Sequence, residues 1–179
     1  MRLTPLQNSN NTLNEPALYA ERGYELSLLK ELLKELLIDV LNKGAAFRFM
    51  AKGFSMSPFI KDGDVVTVFP LSNHMPHLGD AVVFISPDTD ALVIHRVVGK
   101  RDNSHFFIKG DNLPTLEHIV QKTHILGYVK RVERGGRTVA LGLGPEKAII
   151  AFLSRRRLLL PLLLPVRRII RSIQGRPLR

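Results

Sequence analysis

The first regular pattern in the chain is a run of apolar residues at helical spacing between residues 25 and 43. Charged residues fill the intervening positions, so the predicted helix has one apolar and one polar face. Gly44 supplies the stop, because glycine is favoured just beyond a helix C-terminus. The pattern predicts an amphipathic helix over residues 25–44, after a disordered lead over residues 1–24. Its apolar face either covers the chain's own core or docks onto a membrane or a partner protein.

Beyond Gly44 the apolar residues form the short, β-branched runs that are typical of strands. Gly, Pro, Asp and Asn separate these runs, as turns between strands require. The predicted strands are Phe47–Ala51, Val65–Phe69, Ala81–Ile85, Leu92–Val98, His105–Ile108, Ile125–Val132 and Thr138–Leu141. Strands of this length and spacing indicate a mainly β domain over residues 45–141, built as a barrel-like or folded sheet.

A second helical pattern follows Gly144 and alternates with clusters of arginine over residues 145–179. Its longest apolar run, Leu158 to Val166, has nine residues and two prolines, whereas a membrane-spanning helix needs about 20 residues. Apolar blocks beside arginines favour a helix lying at an anionic membrane surface, with residues 147–179 as the binding segment. No secretory signal is visible at the N-terminus, and the arginine-rich end favours the cytoplasmic face, so we expect a peripheral membrane-associated protein there.

The net charge changes this picture only at the C-terminal end. Nine of the ten formal positive charges arise from residues 147–179, which hold nine Lys or Arg and no acid. Residues 1–146 carry 17 basic and 16 acidic side chains, so the charge does not indicate nucleic-acid binding by the β domain. The chain has no cysteine, which excludes disulfides, thiolate metal sites and a cysteine nucleophile. No cofactor or metal site is predicted, and His74 and His77 are interpreted as loop residues.

Candidate chemistry begins in the turn that joins the first two predicted strands. Ser55 lies between Gly53 and Pro58, where its hydroxyl can be exposed and nearby backbone N–H groups can stay unpaired. A nucleophilic serine and its oxyanion hole need both conditions. Ser55 is therefore the candidate nucleophile, and Gly53, Ser55 and Met56 are the candidate oxyanion-hole and substrate-binding residues. A serine in such a loop is more often only part of a turn, so the assignment needs a partner base.

His95 is the candidate general base. Of the six histidines, it lies within an apolar strand, where burying an imidazole without a partner is costly. On that strand His95 shares a face with Val93 and Val97, while Arg96 points to the opposite face. A neutral imidazole can accept the serine proton near neutral pH.

Two acids, Asp111 and Glu117, could complete a catalytic triad. A carboxylate beside His95 would fix the tautomer of the ring and stabilise the imidazolium that forms during attack. Both acids could equally be turn formers. Lys61 and Lys109 are poorer bases than the histidine, because a lysine must be desolvated to lose its proton and neither lies in an apolar stretch.

Five short sequences, read together, resemble the signal peptidase I family of serine peptidases. They occur in the family's order: Gly53-Phe-Ser-Met-Ser-Pro58, Asp62-Gly-Asp-Val-Val66, Gly79-Asp-Ala-Val-Val-Phe84, Val93-Ile-His-Arg-Val-Val98 and Lys109-Gly-Asp-Asn112. The resemblance covers residues 46–132, and five ordered motifs are far more specific than any one of them. It implies an S24/S26-like serine endopeptidase with a mainly β catalytic domain.

The resemblance also implies a role for each site residue. Ser55 takes the position of the nucleophile. His95 stands where many bacterial relatives have a lysine, which is typical of the serine/histidine branch of the family. That branch carries a second acid six residues after the aspartate of the last motif, a position that Glu117 occupies here, so Asp111 and Glu117 both remain candidates. Relatives often have serine two positions before the nucleophile, and this chain has Gly53 there.

The implied substrate is a peptide or preprotein that binds as an extended strand with small residues before the cut. The predicted function is therefore cleavage of a signal peptide or a peptide precursor. One alternative is a self-cleaving or inactive repressor-type protein, which shares the serine and Gly-Asp motifs. Such repressors normally have a lysine base and an N-terminal helix-turn-helix, for which one helix is too little. The other alternative is a non-catalytic, membrane-associated scaffold of the same fold.

Overall fold

The computed structural model describes residues 15–72, 74–115, 118–159 and 161–162, with side chains of the first helix from residue 27 onward. The helices and strands are α1 (Glu15–Asn42), β1 (Phe47–Met50), β2 (Val65–Pro70), β3 (Ala81–Ile85), β4 (Leu92–Lys100), β5 (His105–Lys109), β6 (His118–Gln121), a 3₁₀ turn (Lys122–His124), β7 (Ile125–Arg134), β8 (Arg137–Thr138) and α2 (Lys147–Arg155). The fold is mainly β, as predicted.

The eight strands form one antiparallel sheet with the order β1-β2-β7-β3-β4-β5-β6, and β8 pairs with the end of β7. Each of the seven predicted strands overlaps an observed one. The sequence pattern missed β6, because this strand has no apolar run of its own. It is held instead by antiparallel pairing with β5, in which His118 lies opposite Ile108.

The sheet is apolar on both faces, because side chains alternate along each strand and both sets are buried. One core cluster includes Ala81 and Val83 of β3, and the other includes Val82 and Phe84 of the same strand. Along β4, Val97 belongs to the second cluster. A strand of this kind positions two different sets of buried side chains, one on each face.

The helix α1 begins earlier than its predicted start at residue 25. Residues 15–24 are helical rather than part of a disordered lead, while residues 1–14 of that predicted lead lie outside the described residues. Pro16 fits the first turn of the helix, where its missing N–H costs no hydrogen bond. At the other end, Gly44 has a φ of 77° and donates a backbone hydrogen bond to Leu41 at 2.9 Å.

The chain divides into two compact units between residues 36 and 37. The first unit contains an ion pair between Lys34 and Glu31 at 2.6 Å. It also carries the exposed leucines Leu28, Leu29, Leu32 and Leu36. In the second unit, Leu37 and Leu41 belong to the core of the sheet. Within the described residues, neither α1 nor α2 is long and apolar enough to cross a membrane.

Candidate active site

Ser55 lies in the turn between β1 and β2, which is fixed at its base by backbone hydrogen bonds. Ala51 donates to the carbonyl of Asp64 at 2.8 Å and accepts from Gly63 at 2.9 Å. Within the turn, Met56 is buried in the core, whereas Phe54 is 68% exposed. Ser55 is therefore held half-buried at the point where the chain leaves the core for solvent.

The three candidate oxyanion donors differ in whether their backbone N–H is already hydrogen-bonded. Gly53 has a φ of 94°, which favours glycine, and its N–H donates to Oδ1 of Asp62 at 2.8 Å. That N–H therefore shapes the turn and is already engaged. Among the described residues, the N–H groups of Ser55 and Met56 have no hydrogen-bond acceptor. These two groups remain able to bind an oxyanion.

His95 lies on β4 opposite Val82 of β3, and it is 4% exposed. Its ring centroid is 6.0 Å from that of Phe84. Burial lowers the pKa of His95 to about 4, with smaller electrostatic contributions from the neighbouring His118 and Lys109. The imidazole is therefore neutral at pH 7, which is the protonation state that a general base needs.

Gly110 is the point where Ser55 and His95 come together. A Cβ at Gly110 would lie 2.9 Å from the carbonyl oxygen of Ser55 and 3.1 Å from Nε2 of His95. The sum of these distances, 6.0 Å, is the upper limit for the separation of those two atoms. Asn112 donates its backbone N–H to the same Ser55 carbonyl at 2.7 Å. The turn after β5 thus fixes the serine against the histidine, and any side chain at Gly110 would intrude between them.

Asp111, one of the two candidate triad acids, is fully buried and pairs with Arg96. Its carboxylate accepts hydrogen bonds from Nε of Arg96 at 2.8 and 3.1 Å and from Nη2 at 2.7 Å. Burial raises the pKa of Asp111, while the charge and hydrogen bonds of Arg96 oppose that rise. The structure therefore brings Asp111 to the guanidinium of Arg96, on the face of β4 opposite to His95.

Arg96 is the residue that sequence reasoning placed on the correct face but gave no role. It is fully buried, and its Nη1 donates to the carbonyls of Gly79 at 2.7 Å and Gly142 at 2.8 Å. Its guanidinium also lies over the ring of Phe59, 5.4 Å from the centroid. With its ion pair to Asp111, this one side chain connects β4 to four loops. The available signal was an arginine inside an apolar strand, which needs partners as much as a histidine does.

The burial of Lys109 contradicts the expectation that this lysine stays solvated. Its side chain is 3% exposed because α2 covers it. The neighbouring residues along the chain, which are not all apolar, gave no sign of this burial. Its Nζ donates to Oγ of the buried Ser154 at 3.0 Å and approaches the carbonyl of Gly110 at 3.4 Å. Lys109 lies opposite Arg96 in the pairing of β4 with β5, so it shares the face of Arg96 rather than that of His95.

Glu117, the second candidate acid, lies outside the described residues. Its neighbour His118 is described: its Nδ1 is 3.0 Å from Oδ2 of Asp88, and its ring meets that of Phe84 at 5.9 Å. His118 and His95 thus both contact Phe84. The start of β6 therefore lies on the same sheet face as the candidate base.

Comparison with known proteins gives one family. The sequence model of the family described as Peptidase S24-like matches residues 16–140 of the 179-residue chain. This range includes every candidate site residue named above. No curated protein matches the chain.

Proposed function

Because the chain belongs to the Peptidase S24-like family, a family of serine peptidases, we propose that it is a serine endopeptidase with Ser55 as nucleophile and His95 as general base. The observation that carries this proposal is that the backbone carbonyl oxygen of Ser55 and Nε2 of His95 both lie against Gly110, no more than 6.0 Å apart. S24-like proteins include both peptidases and self-cleaving repressors, so the choice between these two activities is part of the proposal.

In the proposed reaction, Oγ of Ser55 attacks the scissile carbonyl and Nε2 of His95 takes its proton. The imidazolium then gives this proton to the leaving amine as the peptide C–N bond breaks. A water molecule attacks the acyl-enzyme in the second half of the reaction, with His95 again acting as base. The N–H groups of Ser55 and Met56 are the proposed donors to the oxyanion.

The proposed substrate is a peptide or preprotein segment in extended conformation. Among the described strands, β1 pairs only with β2, so its outer edge can accept a substrate strand. Met50 at the end of β1 and Phe54 beside the nucleophile are both exposed, and they offer apolar contacts to substrate side chains. Signal peptides fit this description, as do other peptide precursors.

The low pKa of His95 has a consequence for the triad. A neutral ring is ready to accept a proton, but burial disfavours the imidazolium that forms during attack. A carboxylate near the ring would offset that cost. Asp111 is engaged by Arg96, so of the two acids that the family resemblance leaves open we assign this role to Glu117.

Labelling with a fluorophosphonate probe tests the proposal, because an activated serine attacks the phosphorus of such a probe, displaces fluoride and becomes phosphonylated. We expect purified protein to be labelled, Ser55→Ala to lose all labelling, and His95→Ala to lose at least about a thousandfold in rate. Glu117→Gln is expected to slow labelling by about ten- to ten-thousandfold at unchanged stability. Ser57→Ala is a matched control in the same turn and should label normally. Undiminished labelling of His95→Ala would refute the pairing of Ser55 with His95.

Self-cleavage is the second activity that the family match supports. Cleavage in cis follows first-order kinetics independent of protein concentration, whereas cleavage of a separate substrate depends on enzyme concentration. Incubation of intact protein, with Ser55→Ala as control, distinguishes the two. A wild-type fragment that forms at the same fractional rate after tenfold dilution would favour the repressor-type reaction.

Association with an anionic membrane surface is proposed for the C-terminal end. The exposed apolar residues Ile149, Phe152 and Leu158 lie beside the exposed arginines at 155–157. This combination supports binding of apolar side chains between lipid headgroups, with guanidinium groups near phosphate. On this proposal, the peptidase acts on substrates that reach the membrane surface.

A further inference from the structure

Three side chains with metal-binding atoms come together in the loop between β2 and β3. Nε2 of His74 is 2.9 Å from Oδ2 of Asp80, and Nδ1 of His77 is 3.8 Å from the same oxygen. One ligand atom from each of the three residues lies within 4.8 Å of the other two. The spacing in sequence, His-x₂-His-x₂-Asp, lets one short loop supply all three.

These distances match a tetrahedral metal site. Bonds of about 2.0–2.1 Å from zinc to nitrogen or oxygen place neighbouring ligand atoms about 3.3 Å apart. The two distances to Asp80 lie on either side of that value, so small side-chain rotations would centre an ion among the three atoms. Three protein ligands leave the fourth position open to water.

The loop holds these groups in place without an ion. Asp80 is 5% exposed, and its Oδ1 is occupied by Nζ of Lys147 at 2.6 Å, which leaves Oδ2 directed at the histidines. Its Oδ2 also accepts the backbone N–H of His77 at 2.9 Å. The ring of His74 stacks on Tyr128 with centroids 4.2 Å apart. Ligands that are already oriented lose little conformational entropy on binding.

Other histidine–carboxylate contacts in the described residues lack this convergence. His105 pairs with Asp102 at 3.0 Å and His118 pairs with Asp88 at 3.0 Å, but within the described part of the chain neither pair belongs to a group of three metal-binding side chains. The cluster in the β2–β3 loop therefore differs from an ordinary surface pair.

We propose that His74, His77 and Asp80 form a binding site for a divalent transition-metal ion, with zinc as the reference ion. Two imidazoles and one carboxylate favour zinc, cobalt or nickel over magnesium, which prefers oxygen ligands. The ion exchanges the His74–Asp80 hydrogen bond for bonds to the metal and stabilises the loop that leads into β3. The site is separate from Ser55 and does not depend on the proposed peptidase activity.

The test is titration of full-length, tag-free, EDTA-treated protein with ZnCl₂ by isothermal calorimetry. We expect one Zn²⁺ per chain and a higher Tm in its presence, because an ion that binds only the folded state stabilises it. Co²⁺ should give the intense visible absorbance of a four-coordinate site. His77→Ala, at a side chain that is 66% exposed, should fold normally and bind at least about tenfold more weakly.

His105→Ala is the matched control, since it removes a histidine from an exposed carboxylate pair outside the cluster, and it should bind like the wild type. Asp80→Asn should also weaken binding, with its metal-free Tm measured to separate loss of the Lys147 contact from loss of a ligand. Absence of zinc binding to the wild-type protein would overturn the proposal. Equal affinities in wild type and His77→Ala would overturn it as well, because binding would then occur elsewhere.

Discussion

Replacing Arg96 with methionine should destabilise the protein more than any change to an exposed arginine. Methionine keeps an unbranched apolar stem of similar reach but has no charge and no hydrogen-bond donor. The fully buried carboxylate of Asp111 would lose its ion pair with Arg96, and the carbonyls of Gly79 and Gly142 would each lose a donor.

The expected magnitude follows from these contacts. Removing one partner of a buried ion pair costs about 3–5 kcal/mol, because the other charge stays buried without compensation. A carbonyl left without its donor adds about 1–3 kcal/mol when water cannot reach it. We therefore expect Arg96→Met to lower the free energy of unfolding by at least about 4 kcal/mol. That is a large part of the roughly 5–15 kcal/mol that stabilises a typical domain.

Urea unfolding followed by far-UV circular dichroism measures this loss, since the chain has no tryptophan for fluorescence. Arg131→Met is the matched control. This arginine is 57% exposed and pairs with Glu133 at 2.8 Å, so its replacement should barely move the unfolding midpoint. A loss below about 1 kcal/mol for Arg96→Met would refute the reasoning.

The double variant Arg96→Met/Asp111→Leu separates a structural role of Asp111 from a catalytic one. An apolar pair of similar volume often matches or exceeds the stability of a buried ion pair, so most of the lost stability should return. Labelling of Ser55 should then stay within about tenfold of wild type. If Asp111 were the triad acid, labelling would fall by about ten-thousandfold even in the refolded double variant.

Two further predictions concern pH and membranes. The pKa of His95 is about 4 when folded and near 6.5 when unfolded, so its contribution to stability is present above pH 6.5 and is lost as the pH falls through 4. At about 1.4 kcal/mol per pH unit, this loss of unfolding free energy reaches about 3 kcal/mol. Urea unfolding of the wild type and of His95→Gln, measured across this pH range, should show the difference. Parallel plots of unfolding free energy against pH for the two proteins would contradict the low pKa of His95. Removing residues 163–179, with five arginines, should weaken binding to anionic vesicles and preserve Ser55 labelling, while the exposed Ile149, Phe152 and Leu158 retain part of the contact. Unchanged binding of the truncated protein would show that residues 163–179 make no membrane contact.

The segment 145–179 has two parts that behave differently, although the sequence pattern predicts one attached segment. The truncation at residue 163 leaves the packed part in place. The structure shows that the first part of this segment packs on the β domain. Oγ of Ser154 accepts a hydrogen bond from the ammonium of Lys109. Ile150 and Leu159 pack against Phe59, which lies in the turn that carries Ser55. A cut at residue 147 would therefore remove the residues that cover Lys109 and Phe59. Helical periodicity indicates an apolar face, but it cannot tell whether that face meets a membrane or the chain's own core.

The sequence predicted the strands, the serine turn and the inward position of His95, because each depends on local pattern and on the order of the motifs. It could not predict the burial of Arg96 or Lys109. The expectation for Lys109 considered only its neighbours along β5, whereas its desolvation comes from α2, which is distant in sequence. The sequence also offered no basis for choosing between Asp111 and Glu117 as the acid beside His95, because the contact of Asp111 with Arg96 is visible only in the structure.

The two faces of β4 carry different parts of the candidate site. His95, the candidate base, lies on one face. Arg96, on the other face, binds Asp111, and the residues on either side of Asp111 contact Ser55. Gly110 precedes Asp111 in the chain, and its lack of a side chain leaves room for Ser55 and His95 to approach each other. Asn112 follows Asp111 and donates its backbone N–H to the carbonyl of Ser55. The ion pair thus fixes the backbone that sets the distance from serine to histidine. On the proposed mechanism, Asp111 therefore contributes by holding the backbone on either side of it and does not need to touch the base.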